Sequence, residues 1–314
     1  MSVGQRRSIL QITKCGRFGA DATSFDYSPT AIRATVRSSL DRLKTPYLDA
    51  VYLHDVEFVC RETSPWLGGN PLHAISENPE HFGLAEGQEG TVREDGERKV
   101  LAAIDEMRRL QDEGLINNVG ISGESYLSIR TCTCATYPLG YPLTSLLRIA
   151  LLVLHTPPYK PLDIVQTYSH LHFQNTTFET FAAQFRDRAK VRQLVAASPL
   201  NMALFTHNPE LPQWHPAPPR LRDAVNLARQ THLDWPGGIV DLALGYAFRT
   251  ARTIGGVPVA LGLSTPQEVH ECMKAWRATR FGDEERKAKE ENIISIIDRS
   301  GYRDWSWACP QPGA

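Results

Sequence analysis

The chain carries little that would mark it as a metal, disulfide or membrane protein. Its six cysteines, Cys15, Cys60, Cys132, Cys134, Cys272 and Cys309, are scattered over 314 residues. None forms a CxxC pair and no Cys/His set has zinc spacing, so a zinc ribbon, a dithiol motif and a disulfide scaffold are set aside. The CxC at Cys132 and Cys134 reads as incidental. Net charge is -1 with no basic stripe, which argues against a nucleic-acid partner. The longest apolar run, Leu146 to Leu154, is interrupted by Arg148 and too short to span a bilayer. It reads as a buried helix. No apolar run follows the arginines of Met1 to Arg7, so no secretory signal is read, and a cytoplasmic location is the expectation. A nucleophile elbow is missing too, because Gly123-Glu124-Ser125 lacks the GxSxG spacing. The turn Lys14-Cys15-Gly16-Arg17-Phe18-Gly19 lacks the GxGxxG spacing of a doubly wound nucleotide fold.

What is present is an alternation of strands and helices. Apolar residues make up 42% and charged residues 22% of the chain, ordinary for a globular protein. Strands are expected at Ser8 to Lys14, Leu48 to His54, Ile116 to Ser122, Pro161 to Thr167, Val191 to Ser198 and Val257 to Leu263. Helices are expected from Ser28-Pro29 to about Lys44, over Glu97 to Glu113, Phe178 to Ala189, 219–231 and 238–250, from Thr265-Pro266 onward, and over 283–298. Residues 60–95 lack periodicity and read as a long loop. The pattern specifies a parallel sheet covered by helices.

The first unit is the most informative. Lys14 and His54 each end a buried strand, one β/α unit apart. In a parallel β/α barrel such ends converge on the face where chemistry is done. A lysine at that depth is costly unless it is paired or functional. Taken singly, a solvent-facing Lys14 and a satisfied core His54 are the bland readings. His170 and His172 suggest a metal pair only weakly, since no third ligand has supporting spacing, and no metal is expected.

These motifs resemble the aldo-keto reductase superfamily, and within it the D-arabinose dehydrogenase and L-galactose dehydrogenase branch. The matching segments are Ile12-Thr13-Lys14-Cys15-Gly16-Arg17, Phe25-Asp26-Tyr27-Ser28, Ser39-Leu40-Asp41-Arg42-Leu43, Tyr47-Leu48-Asp49 and His54-Asp55-Val56-Glu57-Phe58. Further along stand Gly120-Ile121-Ser122-Gly123, Ala197-Ser198-Pro199-Leu200 and Ala260-Leu261-Gly262-Leu263-Ser264-Thr265-Pro266. They cover nearly the whole chain in consistent order.

The resemblance implies a (β/α)8 TIM barrel, with 1–314 as one incomplete domain lacking the N-terminal hairpin and first two strands. That would account for the count of six. It implies a catalytic set of aspartate, tyrosine, lysine and histidine, of which Lys14 and His54 match the last two. The chain is expected to begin after the aspartate and tyrosine. Tyr27 is a weak substitute, and Tyr52 is expected to face the helices. Residues 124–139 look like an insertion before Gly140-Tyr141-Pro142-Leu143. Together these departures suggest a faulty gene model, with a divergent protein as the alternative.

The resemblance also implies a nicotinamide cofactor. Ser122 and Gln166 match positions that hold the carboxamide. Ser198, Pro199 and Leu200 match the loop beside the nicotinamide and pyrophosphate, and Ser264, Thr265 and Glu268 match the adenosine end. Glu268 would repel a 2′-phosphate, which favours NAD over NADP. Ordinary strand-end and helix-cap usage is the competing reading of these residues. The implied activity is oxidation of an aldose at C1 to its lactone, impaired in this chain, with a sugar or aldehyde as substrate. A non-catalytic nucleotide- or partner-binding relative is the alternative. An open barrel exposes two sheet edges, and a homodimer across the gap is one way to cover them.

Overall fold

The structure is a computed structural model that describes residues 10–19, 22–60, 68–123, 142–211 and 215–307. The expected insertion at 124–139, the CxC at 132–134 and Gly140-Tyr141 lie outside them. The alternation is realised as β1 (Ile12–Cys15), α1 (Pro29–Leu43), β2 (Ala50–His54), β3 (Gly68–Gly69), α2 (His73–Ser76), α3 (Asp95–Asp112) and β4 (Val119–Ser122). Then come α4 (Pro142–Leu154), β5 (Ile164–Tyr168), α5 (Phe178–Asp187), β6 (Gln193–Ala197), α6 (Pro219–Thr231) and α7 (Gly238–Thr253). The chain closes with β7 (Val259–Ala260), α8 (Pro266–Ala278), α9 (Glu284–Asp298) and β8 (Ser306–Trp307).

Six strands pair in the order β1-β2-β4-β5-β6-β7. All these pairings are parallel. All six expected strands are present, shorter than the apolar runs that announced them. β1 and β7 are the two ends of this arc of barrel.

Parity divides each strand between two layers. Val51, Leu53, Val119, Ile121, Val165 and Leu194 face outward and join Ile32, Val36, Val100, Ile104, Leu147 and Phe181 of the helices in one core. Each such side chain contributes roughly 1.5–3 kcal/mol of burial. The alternate positions Ala50, Tyr52, Ile164 and Val195 form a small inner cluster. The expectation that Tyr52 faces the helices is therefore incorrect. It lies two residues before His54 and shares its face, and its ring packs over Gly120, where a Cβ would stand 3.0 Å from it.

The arginine that interrupts the apolar run has a definite task. Arg148 is fully buried on α4 and bonds both oxygens of buried Glu97, at 2.8 and 3.2 Å. The same guanidinium donates to the carbonyls of Gly83, Gln88, Glu89 and Thr91. The long loop after β2 is wound around this one side chain.

The C-terminal segment is strapped over the loop after β5. Gln174 Nε2 donates to the carbonyls of Tyr302 and Trp305, each at 2.7 Å, and the Thr176 amide donates to Asp304 at 2.8 Å. Its end, β8, pairs antiparallel with β3. His170 and His172 belong to this packing. His170 Nε2 lies 3.0 Å from Ser306 Oγ, and His172 Nδ1 accepts from the Asn175 amide at 3.1 Å.

Burial pushes His170 and, in the next loop, His215 down to about 4, and His172 well below its usual value. Each therefore stays neutral in the fold but charges in the unfolded chain below about pH 6.5. The unfolded state then binds more protons, so stability is present above that value and is lost as pH falls toward 4. His170 alone accounts for a loss on the order of 3 kcal/mol at the acid end. Thermal melts at pH 7, 5.5 and 4.5 are expected to show a steep fall, and His170→Gln to flatten it. A melting temperature unchanged over this interval would sink the assignment.

Candidate active site

The site is built where the parallel register brings strand ends level. His54, the last residue of β2, lies opposite Ser122 of β4, and Ser122 lies opposite Gln166 of β5. Lys14 is paired one pleat lower, opposite Tyr52. Its flexible four-carbon stem covers that difference. Lys14 Nζ comes within 3.2 Å of His54 Nε2. The two side chains thus meet on the inner face.

Two charged neighbours escaped the sequence reading. Asp55 Oδ2 lies 3.3 Å from His54 Nε2 and takes an ion pair at 2.5 Å from Arg17 Nη1. The Asp55 side chain is fully buried, although β2 has already ended. A left-handed backbone, φ 57, turns it back into the sheet, and its amide is anchored to the Ser122 carbonyl at 2.8 Å. Aspartate tolerates that conformation better than most residues. The available signal was a pair of charges standing beside the motif residues, Lys14-Cys15-Gly16-Arg17 and His54-Asp55.

Burial, then the charges of Lys14 and Arg17, push His54 down to about 3. The imidazole is therefore neutral at working pH and acts as a hydrogen-bonding group. Tyr27 does not supply a base. It is buried and donates its hydroxyl to the His54 backbone carbonyl. Burial, with the Asp55 charge next, raises its phenol well above the usual value.

From Lys14 a cleft of about 610 Å³ runs across the ends of β5, β6 and β7. Gln166, Ser198, Pro199, Leu200, Ser264 and Glu268 all line it. That volume suits a small-molecule ligand. Tyr168, His207 and Glu271 line it as well and were not anticipated. Ser122 is buried beside His54 and does not line the cleft.

Two local devices shape the walls. After β6 the chain makes a left-handed turn, with positive φ at Ser198, Asn201, Met202 and Ala203. Consecutive non-glycine residues in this region are strained and persist only where the surroundings enforce them. Here Ser198 Oγ accepts from the Met202 amide at 3.1 Å, and buried Asn201 donates to Gln174 Oε1 at 3.1 Å. At α8 the wall is a capping box. Thr265 Oγ1 accepts from the Glu268 amide at 3.2 Å, and Glu268 Oε2 accepts from the amides of Ser264 and Thr265 at 2.5 and 3.1 Å. Thr265 thus spends its hydroxyl, and Glu268 one carboxylate oxygen, on the cap; Glu268 also lines the cleft, whereas Thr265 does not.

Comparison with known proteins agrees with this geometry. The Aldo/keto reductase family profile matches residues 2–293. D-arabinose 1-dehydrogenase of Saccharomyces cerevisiae is 28% identical over 312 residues, 98% of this chain and 76% of the yeast protein. L-galactose dehydrogenase of Arabidopsis thaliana is 26% identical over 271 residues, 86% of this chain and 64% of the plant protein. The chain thus spans under two thirds of the plant relative. Among solved structures, the holo form of an aldo-keto reductase from Bacillus halodurans shares the fold with TM-score 0.51, at 20% identity over 93% of this chain and 74% of that one. A glycerol dehydrogenase from Gluconobacter oxydans has TM-score 0.50 at 15% identity, over the same 93% of this chain and 74% of its own. With the profile covering nearly its whole length, and with lysine and histidine joined at adjoining ends of a parallel sheet, the chain belongs to the aldo/keto reductase family.

Proposed function

We propose that the chain is an NAD-linked aldose dehydrogenase that oxidises a sugar hemiacetal at C1 to the lactone. The observation that carries this reading is the 3.2 Å approach of His54 Nε2 to Lys14 Nζ, the lysine lining the 610 Å³ cleft and the imidazole standing behind it, outside the lining. The substrate class follows the names of the two dehydrogenases that the chain resembles.

The residues fit a nicotinamide nucleotide. Gln166 lines the cleft and is suited to a carboxamide, whereas Ser122 Oγ, level with it on the next strand and without a hydrogen-bond partner among the described residues, stays outside the cleft lining. Ser198, Pro199 and Leu200 would flank the nicotinamide and pyrophosphate, with Ser264 and Glu268 at the adenosine end. A bound nicotinamide would supply the acceptor for the hydride leaving C1. His54, neutral, would hydrogen-bond the reacting oxygen, and the Lys14 ammonium would favour loss of its hydroxyl proton to water in the cleft.

Among the described residues no tyrosine hydroxyl is hydrogen-bonded to Lys14, and that of Tyr27 is engaged by a backbone carbonyl. Turnover by this chain is therefore expected to be low, and this observation favours the second reading, a non-catalytic nucleotide-binding relative. Fluorescence titration with NADH and NADPH, followed by assay on D-arabinose and L-galactose, separates the two. Binding with slow lactone formation supports the dehydrogenase; binding with no turnover supports its relative. The rim carboxylate of Glu268 is expected to make NADH bind at least ~10-fold more tightly than NADPH, and Glu268→Gln to narrow that ratio. Equal affinities in the wild-type chain would exclude the NAD preference.

A further inference from the structure

Tyr168 is the one phenyl-type ring among the described residues that line the cleft. It is the last residue of β5 and shares a face with Gln166, because side chains alternate along a strand. Val165 and Thr167, on the opposite face, are buried. Register places Tyr168 opposite Ala197 of β6 and Ala197 opposite Ala260 of β7. Both alanines line the cleft as well. At this level the inner wall is one tyrosine ring beside two methyl groups, across two interstrand spacings or about 10 Å. We propose that Tyr168 is the platform on which the nicotinamide ring stacks, with Gln166 at the edge of that ring for the carboxamide.

The ring is backed and held. Tyr168 packs against the buried cluster that contains Phe58, Phe173, Met202 and Phe205. The next residue, Ser169, has φ 56 and donates its amide to the Ala197 carbonyl at 2.9 Å, so β5 is tied to β6 just beyond the tyrosine. A platform fixed in this way loses little freedom when a ligand ring settles on it. The alanines matter as much. A large side chain at 197 or 260 would occupy the space beside the tyrosine, which the methyl groups leave to the cleft. The face of a phenol is electron-rich, so it attracts a flat ring in offset stacking, and a cationic ring more strongly. Oxidised nicotinamide carries that positive charge and the reduced form does not. The platform therefore favours the oxidised cofactor, the form that a dehydrogenase must bind before substrate oxidation.

The platform rests on the nucleotide reading of the cleft. The test is titration of wild type, Tyr168→Phe and Tyr168→Leu with NAD and NADH, together with proton NMR of the bound nucleotide. Tyr168→Phe keeps the ring and is expected to bind within about 2-fold of wild type. Tyr168→Leu is expected to weaken NAD by roughly 5–100-fold, and NADH by less. The nicotinamide protons should move upfield under the ring current in wild type and Tyr168→Phe but not in Tyr168→Leu, with the adenine protons alike in all three. Loss of a merely structural tyrosine would disturb both ends of the nucleotide together. Unchanged NAD affinity in Tyr168→Leu, or nicotinamide resonances that match those of wild type, overturns the proposal. So does a Tyr168→Phe chain that weakens as much as Tyr168→Leu, because the hydroxyl and not the ring face would then hold the ligand. Should Tyr168→Leu fail to fold, the wild-type spectrum decides: no nuclear Overhauser contact between the Tyr168 ring and the nicotinamide overturns the platform. A wild-type chain that binds neither nucleotide removes the nucleotide reading and the platform with it, whereas binding that ignores Tyr168→Leu removes the platform alone.

Discussion

Replacing Arg148 with methionine is expected to destabilise the fold by about 3–5 kcal/mol, a large part of the total stability of a domain. Arg148 and Glu97 are both fully buried, so the substitution strands a carboxylate in the core. It also removes the donor shared by the carbonyls of Gly83, Gln88, Glu89 and Thr91. Each buried acceptor left without a partner adds to the cost. Adding Glu97→Gln should recover part of the loss, because the uncompensated charge is then gone. Urea denaturation reads both as shifts in midpoint. A single-variant cost under about 1 kcal/mol would mean that the loop after β2 holds its own shape.

Lys14→Met is expected to lower turnover by roughly 10²–10⁴-fold while leaving NADH affinity within a few-fold of wild type. The ammonium touches the imidazole and, in the proposed reaction, would face the reacting oxygen, whereas the residues proposed to hold the nucleotide line the rest of the cleft. His54→Gln should act on the same step. Because the two side chains are in contact, the double variant is expected to lose little beyond the worse single one. Steady-state assay beside a binding titration separates the outcomes. A Lys14→Met chain that turns over at the wild-type rate would remove Lys14 from the chemistry. One that loses NADH would make it a binding residue.

Much of this was readable because burial leaves a period. The outward residues Val51, Leu53, Val119 and Ile121 make near-continuous apolar strands with their inner neighbours, and the helices announce themselves at Ser28-Pro29 and Thr265-Pro266, both of which cap as expected. The same parity rule places Tyr52 with His54, since two positions apart is one face. Lys14 and His54 were legible as strand-end residues. Asp55 was not. Its burial depends on a left-handed turn and on Arg17 arriving from another strand, and neither leaves a periodic signal. The β3–β8 pairing was equally silent. Its members are two residues each, Gly68–Gly69 and Ser306–Trp307, joined across the length of the chain. Arg148 looked like a flaw in an apolar helix because its partners are mostly carbonyls, which no side-chain pattern reveals.

A crystal structure of the chain grown with NAD confronts the oxidoreductase reading with a yes-or-no geometry. Lys14 Nζ and His54 Nε2 should lie within about 3.5 Å of one another, on the inner face of the sheet and against the nicotinamide ring. Tips pointing to opposite faces, or a nicotinamide seated away from both, would remove the basis for the chemistry assigned to this fold.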